Sequence, residues 1–364
     1  DDVESRGLGD VYKRQLLLLS GVIVLTSTAQ EKVYQIEEIT VINYGDGRML
    51  FRLNNEEKTP LNGSHRLIDG YHSEYILADF KDGMYHGNYR HFKENKLLEE
   101  CHYKEGNRDG LYKHYYGDGQ TVQSERTFID GKVDGVSRTY HSNGKVETEK
   151  VYKLGIEDGY DRRYGSDGTL TLDECYKDGK RDGKWTEHLS GNVGDVIRIS
   201  FYKNGLPDGQ WIETWKDGKP RSKSSYKDGK KEGVWIRYGK GGKPEKSTTY
   251  KNDEKNGEEI TYFTDGTPEK SSNYLNGKLN GVTKEFYFGS GKCKSEYTFK
   301  NGQREGAYKR YFDTGELREE GCCEADSEVY RKEYYANGKL KSVAERKGGG
   351  WNTIERYDSE GNKE

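Results

Sequence analysis

Rings set the spacing of this chain. An aromatic residue followed by a polar, glycine-rich stretch recurs at Phe80, Tyr103, Phe128, Tyr152, Tyr176, Tyr202, Tyr226, Tyr250, Tyr274 and Phe299, with successive gaps of 23, 25, 24, 24, 26, 24, 24, 24 and 25 residues. With each ring taken as position zero, position seven is glycine in all ten frames: Gly87, Gly110, Gly135, Gly159, Gly183, Gly209, Gly233, Gly257, Gly281 and Gly306. Position three is glycine in nine, the exception being Asp253. A second turn signal falls mid-repeat at Asp118-Gly119, Asn143-Gly144, Asp167-Gly168, Asp217-Gly218 and Asp265-Gly266. Asn-Gly and Asp-Gly supply the positive φ angles of tight hairpin turns, so each repeat reads as two strands and two turns, with the position-seven glycines as structural turn residues.

The predicted fold is all-β, an elongated single-layer array of antiparallel β-hairpin repeats. A lone hairpin is marginal in water, so each unit must be held by its neighbours. With strands about 4.8 Å apart, ten repeats extend on the order of 100 Å. Position twelve is aromatic in eight repeats (Tyr140 and Tyr238 among them) and position nine in six, including Trp185, Trp211 and Trp235. The two positions differ in parity. Either a bulge re-aims one set, or both faces carry rings.

The array spans residues 62–345, beginning with a half repeat over Asn62–Phe80. Residues 30–61 form an N-terminal capping region with a strand at Val33–Ile42. Residues 346–364 form a degenerate terminal repeat that stops within a turn signal, as a truncated chain would. Leu16–Leu25 is an apolar run too short to span a bilayer and is followed by small residues at Ser27 and Ala29, so residues 16–29 read as the core and cleavage region of a signal peptide. The expectation is an exported protein, periplasmic, outer-surface or secreted, with no transmembrane span. Residues 1–15 read as a sequencing or cloning scar.

Composition sharpens this. Only 31% of residues are apolar, 34% are charged and mean hydropathy is −1.12, values close to those of disordered chains. Yet 30 Tyr, 10 Phe and 5 Trp stand against 5 Pro. Rings therefore supply the burial that aliphatic residues supply elsewhere. Sixty Lys and Arg nearly balance 63 Asp and Glu, which argues against nucleic acid as a partner.

The run Lys-Asp-Gly-Lys-x-Asp-Gly-x-Trp at Lys177–Trp185, and the Asn-Gly-Lys-Leu turn at Asn337–Leu340, resemble the MORN-repeat-variant family, which includes bacterial YwqK-type antitoxins. The resemblance covers about residues 62–345. It implies hairpin arrays that bind proteins or, in some relatives, membranes, and it implies no catalysis.

No nucleophile elbow, zinc-protease helix motif, phosphate loop or Cys-x-x-Cys is present, so neither an enzyme nor a cofactor is expected. His91 and His114 occupy equivalent positions in adjacent repeats, roughly 10 Å apart and too far for one metal ion. Five cysteines leave scattered thiols, with Cys322-Cys323 open to a vicinal or intermolecular bridge. Asp182, Asp208 and Glu232 belong to a position-six acidic ladder, read as a solvated turn or, alternatively, a Ca²⁺ row.

The one charge anomaly is residues 216–251, where twelve Lys or Arg face four acids, a net of +8. The candidate binding surface there is Trp211, Trp215, Tyr226, Lys227, Lys230, Lys231, Trp235, Arg237 and Tyr238. The leading expectation is a protein-protein binding or scaffolding surface. The alternatives are an anionic glycan or other polyanion bound at 211–251, and an antitoxin-like inhibitor of a partner toxin.

Overall fold

A computed structural model describes residues 31–190 and 194–364. The signal-peptide and scar segments lie outside the described residues. The chain divides into two units, residues 31–97 with 102–107, and residues 98–101 with 108–364. Both are built of antiparallel hairpins, and the only helical element among the described residues is a single 3-10 turn.

In the first unit Gly63–Asp69 pairs with Glu74–Lys81, which pairs with Met84–Lys93. The capping strand expected at Val33–Ile42 is corrected: it is two strands. Lys32–Gln35 adds in parallel to Gly63–Asp69. The 3-10 turn Ile36–Glu38 then redirects the chain, held by Gln35 N donating to Glu38 Oε2 at 2.7 Å. Ile39–Asn43 pairs instead with Met49–Leu53 in a separate two-stranded sheet. That second hairpin places Phe51 against Phe80 and Tyr85, with centroids at 5.2 and 4.7 Å, and buries Leu50 and Leu61.

In the second unit each repeat turns in two different ways. At one end Ile129 pairs with Lys132 around Asp130-Gly131, whose φ values of 47° and 77° define a two-residue turn of the I′ kind. At the other, His141 N donates to Lys145 O and Gly144 N to His141 O, both at 2.8 Å, closing a three-residue loop with Gly144 at φ 79°. Asn143 Oδ1 accepts Lys145 N at 3.0 Å in the same loop.

The position-seven glycines are not in turns. Between the pairs Arg126/Ser137 and Phe128/Val133, the single residue Thr127 faces three, Asp134 to Val136. Gly135 is the middle of that bulge, and the same register shift recurs around Gly159 and Gly257. All ten glycines have positive φ, because the bulge must double back within an otherwise extended strand. At Gly159 a Cβ would also stand 2.7 Å from Val151 Cβ.

The bulge aims position six at the following repeat. Asp182 Oδ2 accepts the turn amide of Asn204 at 3.0 Å, Asp208 that of Asp228 at 3.2 Å, and Glu232 that of Asn252 at 3.1 Å. The acidic ladder is therefore a set of inter-repeat hydrogen bonds, neither a free solvated turn nor a row open to cations. Beside it, Gly131 N donates to Arg108 O, Gly179 N to Glu157 O and Gly229 N to Pro207 O, each at 2.8 Å. Where position three is not glycine, the substitute adds a bond: Asp253 Oδ1 accepts Lys231 N at 2.8 Å, and Asp326 Oδ1 accepts Arg304 N at 2.7 Å.

Pairing register settles the parity question in favour of rings on both faces. Trp235 pairs with Thr248 and Ile236 with Ser247, so position nine and position ten point oppositely. On the first face, rings at positions zero and nine form a continuous spine, Tyr176, Trp185, Tyr202, Trp211, Tyr226, Trp235, Tyr250, with successive centroids at 5.4, 5.0, 5.5, 4.9, 5.1 and 5.4 Å. Trp185 Nε1 donates to Cys175 O and Trp235 Nε1 to Ser225 O, both at 3.0 Å, fixing the indoles to the preceding strand. On the second face Tyr140 Oη donates to Glu125 at 2.6 Å, beside Arg138.

In two of the four frames where position nine lacks a ring, an acid takes its place and is held by an ion pair. Lys150 Nζ lies 2.8 Å from Asp161 Oδ2, and Glu259 Oε2 lies 2.7 Å from Lys255 Nζ. Burial alone would raise the Glu259 pKa, but bonds from Lys255, Lys246 and Thr248 outweigh it and hold the carboxyl below its ordinary value.

Two substitutions separate bulge from turn. Gly159→Ala should lower stability by about 2 kcal/mol or more, from backbone strain and the Val151 contact, whereas Gly277→Asp, at φ 77° but with no heavy atom within 4 Å of the new Cβ and at a turn position where Asp253 already adopts φ 72°, should cost about 1 kcal/mol or less; thermal or urea midpoints of the full chain measure both. Trp185→Phe removes the indole donor from a residue only 2% exposed and should cost about 1–3 kcal/mol in the same assay.

Candidate functional site

Strand alternation divides the nine residues singled out in the sequence between two faces. Trp211, Tyr226 and Trp235 belong to the ring spine. Trp211 Nε1 donates to Phe201 O at 3.3 Å, repeating the Trp185 bond. Burial pushes the Tyr226 hydroxyl pKa up, assisted by Tyr202 and Asp253. Lys231 caps the spine, its Nζ 4.7 Å from the Trp235 ring centroid and 5.0 Å from that of Tyr250. Arg181 sits likewise over Trp185 and Tyr202, at 4.1 and 5.2 Å.

Arg237 shares this face. It pairs with Ser222 and Lys246 across the ladder, and its guanidinium Nε is 3.0 Å from Glu245 Oε2. Lys246 in turn lies 3.2 Å from Glu259. Together with Trp235, Ser222, Ser224 and Thr248 these two cations line a groove of 380 Å³. Their charge there is largely met by carboxylates. Trp215 opens the loop Trp215–Lys219, with Trp215 N donating to Lys219 O at 2.8 Å and the Arg221 guanidinium 5.0 Å from its ring centroid.

Lys227 and Lys230 are elsewhere. They face each other directly across the Asp228-Gly229 turn, both exposed, and by alternation lie with Lys223 and Ile236 on the second face. Tyr238 alternates onto that face as well, two residues beyond Ile236. A single site of stacked rings and free lysines is thus corrected: rings pack inside the spine on one face, and the lysines nearest to them in sequence project from the other.

What the sequence does not reveal is the apolar row on the second face. Ile199 pairs with Ile212, Ile212 with Lys223, Lys223 with Ile236, Ile236 with Ser247, and Ser247 with Ile260. These isoleucines are half-buried. Ile212, Ile236 and Ile260 are spaced by whole repeats and Ile199 stands on the strand before Ile212, so only the register brings the four into line.

Histidines and cysteines serve locally. His91 Nε2 lies 3.1 Å from Glu74 and His114 Nδ1 2.9 Å from Gln123 Oε1. Cys322 and Cys323 are free thiols, and Cys323 is buried on the strand Leu317–Glu324. No group of three metal-ligating side chains converges among the described residues.

Four segments match the family model for the MORN repeat variant, residues 133–154, 231–252, 304–322 and 328–347. No match was found among the curated proteins. Among solved structures, the Tc holotoxin pore of Photorhabdus luminescens carrying the TccC3-D651A mutation is similar at 13% identity and a TM-score of 0.18, covering 85% of this chain and 18% of that one. TcdB2-TccC3 without its hypervariable C-terminal region is similar at 10% identity and a TM-score of 0.16, covering 86% and 19%. The chain spans about a fifth of the length of these structures. The four matched segments fall on the same hairpin, bulge and turn elements described above, and each is similar to the MORN repeat variant.

Proposed function

We propose that the chain is an exported, non-catalytic scaffold that binds a protein partner across its sheet. One observation carries this reading: what is constant from repeat to repeat is used inside the array, and what varies points outward. The rings, bulge glycines and position-six acids are spent on inter-repeat contacts. Position ten, on the second face, runs Arg138, Arg162, Thr186, Ile212, Ile236, Ile260, Lys284. Repeat proteins whose neighbours supply each other's stability are free to vary the outward positions, and that is how they acquire partners. Inhibition of a toxin would be one form of such binding.

Full-length chain immobilised at physiological salt is expected to retain a defined protein from an envelope extract, in constant proportion over repeated captures. Retention on heparin at the same salt, with no protein recovered, would instead favour the polyanion reading.

A further inference from the structure

We propose that the second face of residues 177–260 is a docking surface for an acidic amphipathic protein segment. This deepens the protein-binding reading above and rests on it.

The charge on this face is mainly positive from Lys177 to Lys251, with acids following at Glu254, opposite Lys251, and at Glu258, in line with Ile260. Lys177 faces Lys180, and Lys227 faces Lys230, each pair directly opposed across a two-residue turn and exposed. Like charges in that arrangement destabilise a hairpin. Lys203 and Lys223 lie on the same face by alternation from Phe201 and Ser225. Among the described strand residues that alternate onto this face between Lys177 and Lys251, Glu245 is the one acid, and it stands at a register shift. The carboxylates of the same strands are on the other side, where Glu187 and Glu213 hold Arg198 at 3.3 and 2.8 Å, while Glu245, at a register shift, turns to Arg237.

The cations flank a row of aliphatic side chains, with Phe201 and Tyr238 at its sides and no tryptophan among them. The row Ile199, Ile212, Ile236, Ile260 crosses the sheet, Val234, 52% exposed, adjoins it, and Leu206, 51% exposed, stands beside Lys203 at the turn end of the same face. A polysaccharide or single-stranded nucleic acid would stack on aromatic faces, and the tryptophans of this stretch are committed to the opposite face. Aliphatic side chains rimmed by lysine suit a partner presenting leucine-like residues between carboxylates. From Ile199 to Ile260 the row crosses five strand spacings, about 24 Å. A helix of about 16 residues has that length.

The test uses a fluorescent 16-residue helical peptide with leucines along one face and glutamates beside them, a scrambled peptide of equal composition, and a heparin oligosaccharide, each titrated into the full chain. The designed peptide is expected to bind more tightly than either comparator. Ile212→Ser with Ile236→Ser, and separately Lys227→Glu with Lys230→Glu, should each weaken it tenfold or more while leaving the circular-dichroism spectrum unchanged. Arg237→Glu, on the other face and 69% exposed at its side chain, should leave it unaltered. Absence of binding, equal binding of the scrambled peptide or heparin, or an equal loss in Arg237→Glu overturns the proposal. A photo-crosslinking residue at Ile212 or at Arg237 in the capture experiment separates the two levels. Crosslinks from Arg237 alone reject this face and keep the protein-binding reading, whereas none from either rejects both.

Discussion

The structure depends on one contact repeated along the chain: a turn amide of one repeat held by the strand of the repeat before it. Two groups supply it, the position-five carbonyl and the position-six carboxylate, and both are presented by a bulge that only a residue with positive φ can form. Each such hydrogen bond contributes on the order of 1 kcal/mol net. A hairpin of two dozen residues has too little apolar area to fold alone. The bonds between turns, together with rings in van der Waals contact from repeat to repeat, convert marginal pieces into a stable sheet. Function is then confined to what these contacts leave over, which is the outward rows of the sheet.

The rings do for this sheet what a second layer does for a sandwich. Phe51 and its hairpin cover the first unit's face in the ordinary way. In the second unit the tryptophans lie across the ladder and bury one another, with lysine and arginine stems closing the outer side. This explains how a chain only 31% apolar keeps a core. It also explains why an aromatic count alone misleads about binding: tryptophan in a basic stretch has the same signature whether it meets a ligand or a neighbouring repeat.

Much of the fold was legible because repetition amplifies weak signals. A single Asp-Gly is a modest turn indicator, but ten rings and ten glycines in phase fix the strand pairs and their order. Two matters escaped. Glycine marks bulge and turn alike, since both require the same backbone angle, so Gly135 and its equivalents read as turn residues until the pairing of Arg126 with Ser137 showed otherwise. The allocation of side chains to faces depends on register, and a bulge alters register without altering composition. Trp235 and Lys230, five residues apart, alternate onto opposite faces, and grouping them by their nearness in a basic stretch placed them on one surface. The isoleucine row was invisible for the same reason, its members being spread over 62 positions of sequence, from Ile199 to Ile260 counted inclusively.

The buried ion pairs at Asp161 and Glu259 make the array uneven. Between Tyr176 and Tyr250 the spine is made of rings. At Glu259 the folded carboxyl titrates below its unfolded counterpart, so its stabilisation is complete above the unfolded value and fades as pH falls through the folded one. Because neighbours are coupled only to neighbours, acid acts on this sheet locally, at the Glu259 link, rather than evenly along the array.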